Sequence, residues 1–112
     1  MLSIFDKYSY TCDTHTAVAV KVYKDYKETT GDNTKTVIAS TASPYKFSVA
    51  VLEALEGKNS DIDEYDKVSR IAELSNIPVP AALADLKNKP ERFNDVIDKA
   101  NQKDYVLKTL GI

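Results

Sequence analysis

Three glycines, Gly31, Gly57 and Gly111, are spread through 112 residues, and each stands where a stretch of helically spaced apolar residues runs out. Glycine placed this way ends helices cleanly. It leaves no Gly-rich loop that could bring successive backbone N–H groups up to a phosphate, so a self-contained nucleotide site of the Rossmann or Walker type is excluded. Seventeen acidic residues face fifteen basic ones, too little positive charge to neutralise a nucleic-acid backbone. A chain of this length is one domain or a piece of a larger one, and it is expected to bury about two-thirds of its unfolded surface.

Between the glycines the pattern reads as helix, strand, turn, helix. Asp13 or Thr14 caps a first helix whose apolar positions are Ala19, Val22, Tyr23 and Tyr26, and Gly31 stops it. Thr36-Val37-Ile38-Ala39-Ser40-Thr41 is short and β-branched with an apolar centre, the signature of a buried strand. Ser43 then offers a cap and Pro44 a first helical position, ahead of a stripe of Phe47, Val51, Ala54 and Leu55 that ends at Gly57. A crossover of this kind implies an α/β fold, with the strand in a mostly parallel sheet.

Gly57-Lys58-Asn59-Ser60 reads as a hinge, dividing a strand-helix portion, 1–57, from a mainly helical segment, 58–112. In that segment Ser60 or Asp61 caps a helix carrying Tyr65, Val68, Ile71 and Ala72 that ends before Pro78. Val79-Pro80 opens a shorter helix through Leu83 and Leu86, closed by Pro90. Arg92 to Ile97 is a second candidate strand and Lys103 to Leu110 a last helix.

Cys12, the single cysteine, and His15, the single histidine, are too few soft ligands for a structural zinc site, and no metal is expected. A thiolate activated by an imidazole three residues on would be a nucleophile, but it would also need a group orienting the base and an oxyanion hole. The ordinary reading is a half-buried thiol before a helix, with His15 satisfied by backbone or Asp13. Asp61, Asp63 and Asp66 read as charges that complement a helix dipole. Uninterrupted aliphatic runs are far short of a membrane span, and the opening residues lack the layout of a signal peptide, so a cytoplasmic protein is expected. Ser40 to Phe47 differs from the rest, because it joins the C-terminal end of the expected strand to a helix N-terminus. Ligands of open α/β sheets collect at that edge.

The run Val37-Ile38-Ala39-Ser40-Thr41-Ala42-Ser43-Pro44-Tyr45-Lys46-Phe47 follows Asp13-Thr14-His15-Thr16-Ala17-Val18-Ala19 and precedes Ile77-Pro78-Val79-Pro80-Ala81-Ala82-Leu83. In order and separation the three resemble the C-terminal part of bacterial threonine synthases, over nearly the whole chain. It departs from many members at Ser43, Tyr45 and Thr14, where they have His, Ala and Pro. Threonine synthases are several times longer. Their Phe-Lys-Asp segment, which holds pyridoxal phosphate, and their phosphate-binding glycine loop have no counterpart here, so a C-terminal fragment is expected, inactive alone and not binding the cofactor.

The resemblance implies a pyridoxal-phosphate enzyme of the tryptophan-synthase-like fold that converts O-phospho-L-homoserine and water to L-threonine and phosphate. The remainder of the threonine synthase chain is then the partner. It also implies that Thr41 hydrogen-bonds the pyridine nitrogen of the cofactor. A neutral hydroxyl does not keep that nitrogen protonated as a carboxylate would, which moderates the electron sink and suits elimination over transamination. Lys46 is a weaker candidate, for attracting the anionic substrate. Asp13, His15 and Thr16 are read as a cap and a packing contact beneath the active-site wall. The competing expectation is a small independent module that binds another protein through its charged helical half.

Overall fold

The computed structural model describes residues 1–58 and 61–112; the expected hinge residues Asn59 and Ser60, and the cap proposed at Ser60, lie outside them. Six α-helices are present among the described residues: α1 (Leu2–Tyr8), α2 (Thr14–Thr30), α3 (Ser48–Glu56), α4 (Glu64–Ser75), α5 (Ala81–Ala84) and α6 (Gln102–Leu110). Single 3₁₀ turns occupy Pro44–Phe47, Leu86–Asn88 and Lys99–Asn101.

The helix boundaries follow the capping chemistry. Asp13 caps α2 by accepting from the backbone N–H groups of His15 and Thr16, and Gly31, at φ 69°, ends it by donating its N–H to the Lys27 carbonyl. Ser43 caps the Pro44 turn, with Pro44 in the first helical position, and α3 then runs to Gly57. Asp63, rather than Ser60 or Asp61, caps α4. Asn76 closes α4 at φ 53°, two residues short of Pro78. The first helix, α1, has no strong sequence signal: no side chain caps it and Ile4 is its one buried residue.

The expected α/β fold is not formed. Residues 31–42 contain no regular structure, and no strand occurs among the described residues, at Thr36–Thr41 or at Arg92–Ile97. The reason is the ladder. A strand needs a neighbour about 4.8 Å away along its whole length to satisfy alternate N–H and C=O groups, and among the described residues no backbone ladder joins either run to the other or to another segment. Both stay solvated, with Val37 94% and Val96 96% exposed.

The core is small and lies where α3 crosses α4. Tyr45, Val51, Leu52 and Ile71 are buried together, edged by Phe47, Leu55, Val68, Ala72, Val79 and Leu83. Val51 and Ile71 were expected at apolar stripe positions; Leu52 joins them from the adjoining face of α3. Arg70 locks the crossing from outside, donating through Nε to Glu56 at 2.8 Å and through a terminal nitrogen to Glu73 at 3.0 Å. The stripe expected on α2 buries nothing comparable, since Ala19, Val22 and Tyr26 are exposed and Thr16 is its one buried residue. Within 81–112 no residue is buried.

The outcome is an open molecule. Its radius of gyration is 19.1 Å, against about 13 Å for a compact domain of this length. Its accessible surface is 8765 Å², against about 6,100 Å² for a self-contained protein of this mass. About half of the unfolded surface is covered, not the two-thirds that length alone predicts.

Candidate functional site

The N-terminus of α2 and the segment before α3 meet through side chains. Asp13 is fully buried. Its Oδ1 accepts from the His15 N–H at 2.9 Å, the Thr16 N–H at 3.3 Å and the His15 ring nitrogen Nδ1 at 3.2 Å, while its Oδ2 accepts from the Thr16 hydroxyl. Burial works against a charge here, but the bonds from Thr16 and His15 outweigh it and hold the Asp13 carboxyl below the ordinary carboxylate range. This is the cap reading of Asp13, with His15 bonded to it as the ordinary interpretation of that histidine required.

Two residues of the same region reach across to Ser40. Thr16 Oγ1 lies 3.1 Å from Ser40 Oγ, and the Tyr10 hydroxyl donates to Ser40 Oγ at 3.1 Å. A third link runs from His15 to Phe47, whose rings meet edge to face with centroids 5.0 Å apart. Thus 13–16 and 40–47, far apart in sequence, form one corner. The third quoted segment joins through Tyr45, whose hydroxyl donates to the Ile77 carbonyl at 2.5 Å. Tyr10 carries no signal in the sequence, because a bond spanning thirty residues leaves no periodic trace.

Thr41 follows Ser40 directly and is exposed, in backbone without regular structure. Lys46 is in the 3₁₀ turn and lines a cleft of about 240 Å³ with Tyr45, Glu64, Tyr65, Val68, Leu83 and Leu86. Thr41 is not among the residues lining it, so the two candidate site residues do not share this cleft. Cys12 is 2% exposed and its burial pushes the thiol pKa up, the opposite of what a nucleophile requires. Asp63 is the cap of α4, and with Asp66 it faces Lys87, at 3.5 and 3.7 Å. No cluster of three or more metal-ligating side chains occurs among the described residues. No helix among them is long and apolar enough to cross a membrane.

No curated protein matches the chain. The family described as threonine synthase, C-terminal, matches residues 16–106. That span contains Ser40, Thr41, Lys46 and the Ile77–Leu83 segment whole, and it begins at the threonine that holds the Asp13 carboxylate. With four-fifths of its length matched, and its quoted segments drawn into one corner, the chain belongs to the threonine synthase C-terminal family.

Proposed function

We propose that this chain is the C-terminal part of a pyridoxal-phosphate enzyme that converts O-phospho-L-homoserine and water to L-threonine and phosphate. The observation that carries this reading is the family match over residues 16–106. Pyridoxal phosphate supplies the electron sink for loss of phosphate from the γ carbon and addition of water at the β carbon.

The residues present fit one contact to that group. Thr41 is exposed beside a Ser40 that is itself bonded to Thr16 and Tyr10, which supports its hydroxyl as the donor to the pyridine nitrogen. As a neutral donor it leaves the ring nitrogen unprotonated. Lys46, exposed in the turn before α3, adds positive charge that attracts the phosphorylated substrate. The group that holds the cofactor covalently and the loop that binds its phosphate come from the remainder of the enzyme. The extra exposed surface supports that partner: it exceeds the roughly 1,600 Å² buried in a standard protein interface.

The same surface favours the second reading, a small module that binds an unrelated protein. Kinetics separate the two. In the enzyme carrying this segment, Thr41→Val is expected to lower turnover roughly tenfold to a hundredfold, the cost of one hydrogen bond of about 1 to 3 kcal/mol felt in the transition state. Thr41→Asp, which favours a protonated ring, is expected to raise abortive transamination relative to threonine release. Wild-type turnover in Thr41→Val would return Thr41 to an ordinary loop residue.

A further inference from the structure

The hydroxyls around Ser40 form a chain with one possible direction. The Asp13 carboxylate has no proton to give, so the Thr16 hydroxyl spends its single proton on Oδ2. At the 3.1 Å contact between Thr16 Oγ1 and Ser40 Oγ, the bridging proton is therefore Ser40's. Tyr10 must then donate to Ser40, and it lies 3.1 Å away to do so. The order runs Tyr10, Ser40, Thr16, Asp13, and it starts at the surface and ends on a fully buried charge.

This chain ties the segment that carries Thr41 to Tyr10 and to the start of α2. Asp32 and Thr34 bond locally at the far end of it, with Asp32 accepting from the Thr34 N–H and hydroxyl, and Ser43 bonds to Tyr45 at the near end. From Val37 to Ala42, Ser40 is the residue whose side chain bonds to another element among the described residues. Its immediate neighbours Ala39 and Thr41 are open to water and Val37 almost completely so, while Ile38 and Ala42 are half-buried.

We propose that Asp13 is a positioning residue for Thr41: through Thr16 and Ser40 it fixes the stretch of backbone from which the Thr41 hydroxyl is presented. This rests on the reading of Thr41 as the contact to the pyridine ring, and the test keeps the two separable. Asp13 is buried and caps the N-terminus of α2, so its own removal threatens the helix. Ser40, exposed, and Thr16, a single hydroxyl, are the places to interrupt the chain.

The first measurement is nitrogen-15 relaxation on this chain. Ser40→Ala and Thr16→Val are expected to lower the heteronuclear NOE at the amides of 38–42 while leaving those of Leu52 and Ile71 unchanged. Thr16→Ser is expected to restore it, and the double variant to add nothing, because the links act in series. The Thr41 amide shift should also titrate with the Asp13 carboxyl at acid pH and cease to do so in Ser40→Ala, while the His15 amide still reports the titration. The Cys12 thiol beside Asp13 does not interfere, since burial raises its pKa and keeps it neutral throughout that range. Unchanged Thr41 relaxation in both single variants would overturn the proposal. So would a Thr41 titration that survives the loss of the Ser40 hydroxyl.

The second measurement is steady-state kinetics of the enzyme carrying this segment. Ser40→Ala is expected to lower kcat about tenfold with KM for O-phospho-L-homoserine unchanged, and to have no further effect when added to Thr41→Val. Additive losses, with the relaxation result intact, would leave the anchoring in place and count against Thr41 as the cofactor contact.

Discussion

Tyr45 donates its hydroxyl proton to the backbone carbonyl of Ile77, 2.5 Å away, and this one bond ties the turn that opens α3 to the chain leaving α4. The Ser75 hydroxyl stands 3.4 Å from the same phenolic oxygen. The ring is buried in the core while its polar tip is satisfied at the edge, the arrangement a buried tyrosine requires. Tyr45→Phe should therefore keep the packing and leave the Ile77 carbonyl without that donor. A loss of about 1 kcal/mol, read from thermal or urea unfolding with the α3 and α4 amide shifts retained, is the expected result.

Removing the cap at the other end of the corner should act through α2. Asp13→Ala deprives the His15 and Thr16 N–H groups of their acceptor, at a cost of about 0.5 to 2 kcal/mol, visible as lost helicity in far-ultraviolet circular dichroism. Asp13→Asn retains a carbonyl oxygen for the backbone and should lose less. Equal helicity in Asp13→Ala and wild type would show that α2 does not depend on this cap.

Acid should have the same effect without mutation. The bonds from Thr16 and His15 depress the Asp13 pKa in the folded chain against the penalty of burial, so the unfolded state binds the proton more tightly. The resulting stability is fully present above the unfolded-state value of about 3.9 and is lost as pH falls through the lower folded-state value. Asp32 and Asp63 are depressed as well, so the contribution of Asp13 is the difference between wild type and Asp13→Asn. That difference should shrink as pH is lowered from 5 towards 2, and a constant difference would contradict it.

Core and periphery should respond very differently. Ile71→Ala or Leu52→Ala opens a cavity in a cluster of only four buried side chains and should cost about 2 to 5 kcal/mol, enough to abolish a cooperative melt. Val37→Lys and Val96→Lys alter side chains that are almost completely exposed and should stay within about 0.5 kcal/mol of wild type. Differential scanning calorimetry on the four variants reads both halves of the comparison.

Pyridoxal phosphate added to this chain should react weakly and at several lysines. Absorbance titration is the measurement. A saturable, stoichiometric band that disappears on replacing one particular lysine would contradict it.

Local chemistry was legible in the sequence and long-range pairing was not. Asp13, Ser43 and Gly31 end or begin helices through bonds to residues within four positions, so their spacing alone declares them. Val51 and Ile71 repeat at helical intervals and are buried as that repeat requires. Thr36–Thr41 has the composition of a strand, but composition expresses only half of a strand; the other half is a neighbour, and none is supplied. The α2 stripe failed for the same reason, since an apolar face is a statement about a surface it would cover. The Ser40 bonds to Tyr10 and Thr16 join residues 30 and 24 positions apart, a relation no periodicity encodes.

The openness of the molecule has a calorimetric consequence. The heat-capacity increment of unfolding scales with the surface newly exposed to water, and with about half of the unfolded chain's surface already wet in the folded state the increment should be about three-quarters of the roughly 1.3 to 1.7 kcal/mol/K usual for this length. The denaturant slope should fall in proportion. A chain with so shallow a response unfolds over a broad range of temperature. Docking against a protein surface that covers the exposed faces would sharpen that transition, so the breadth of the melt is itself a gauge of how much of this chain's folding is supplied from outside it.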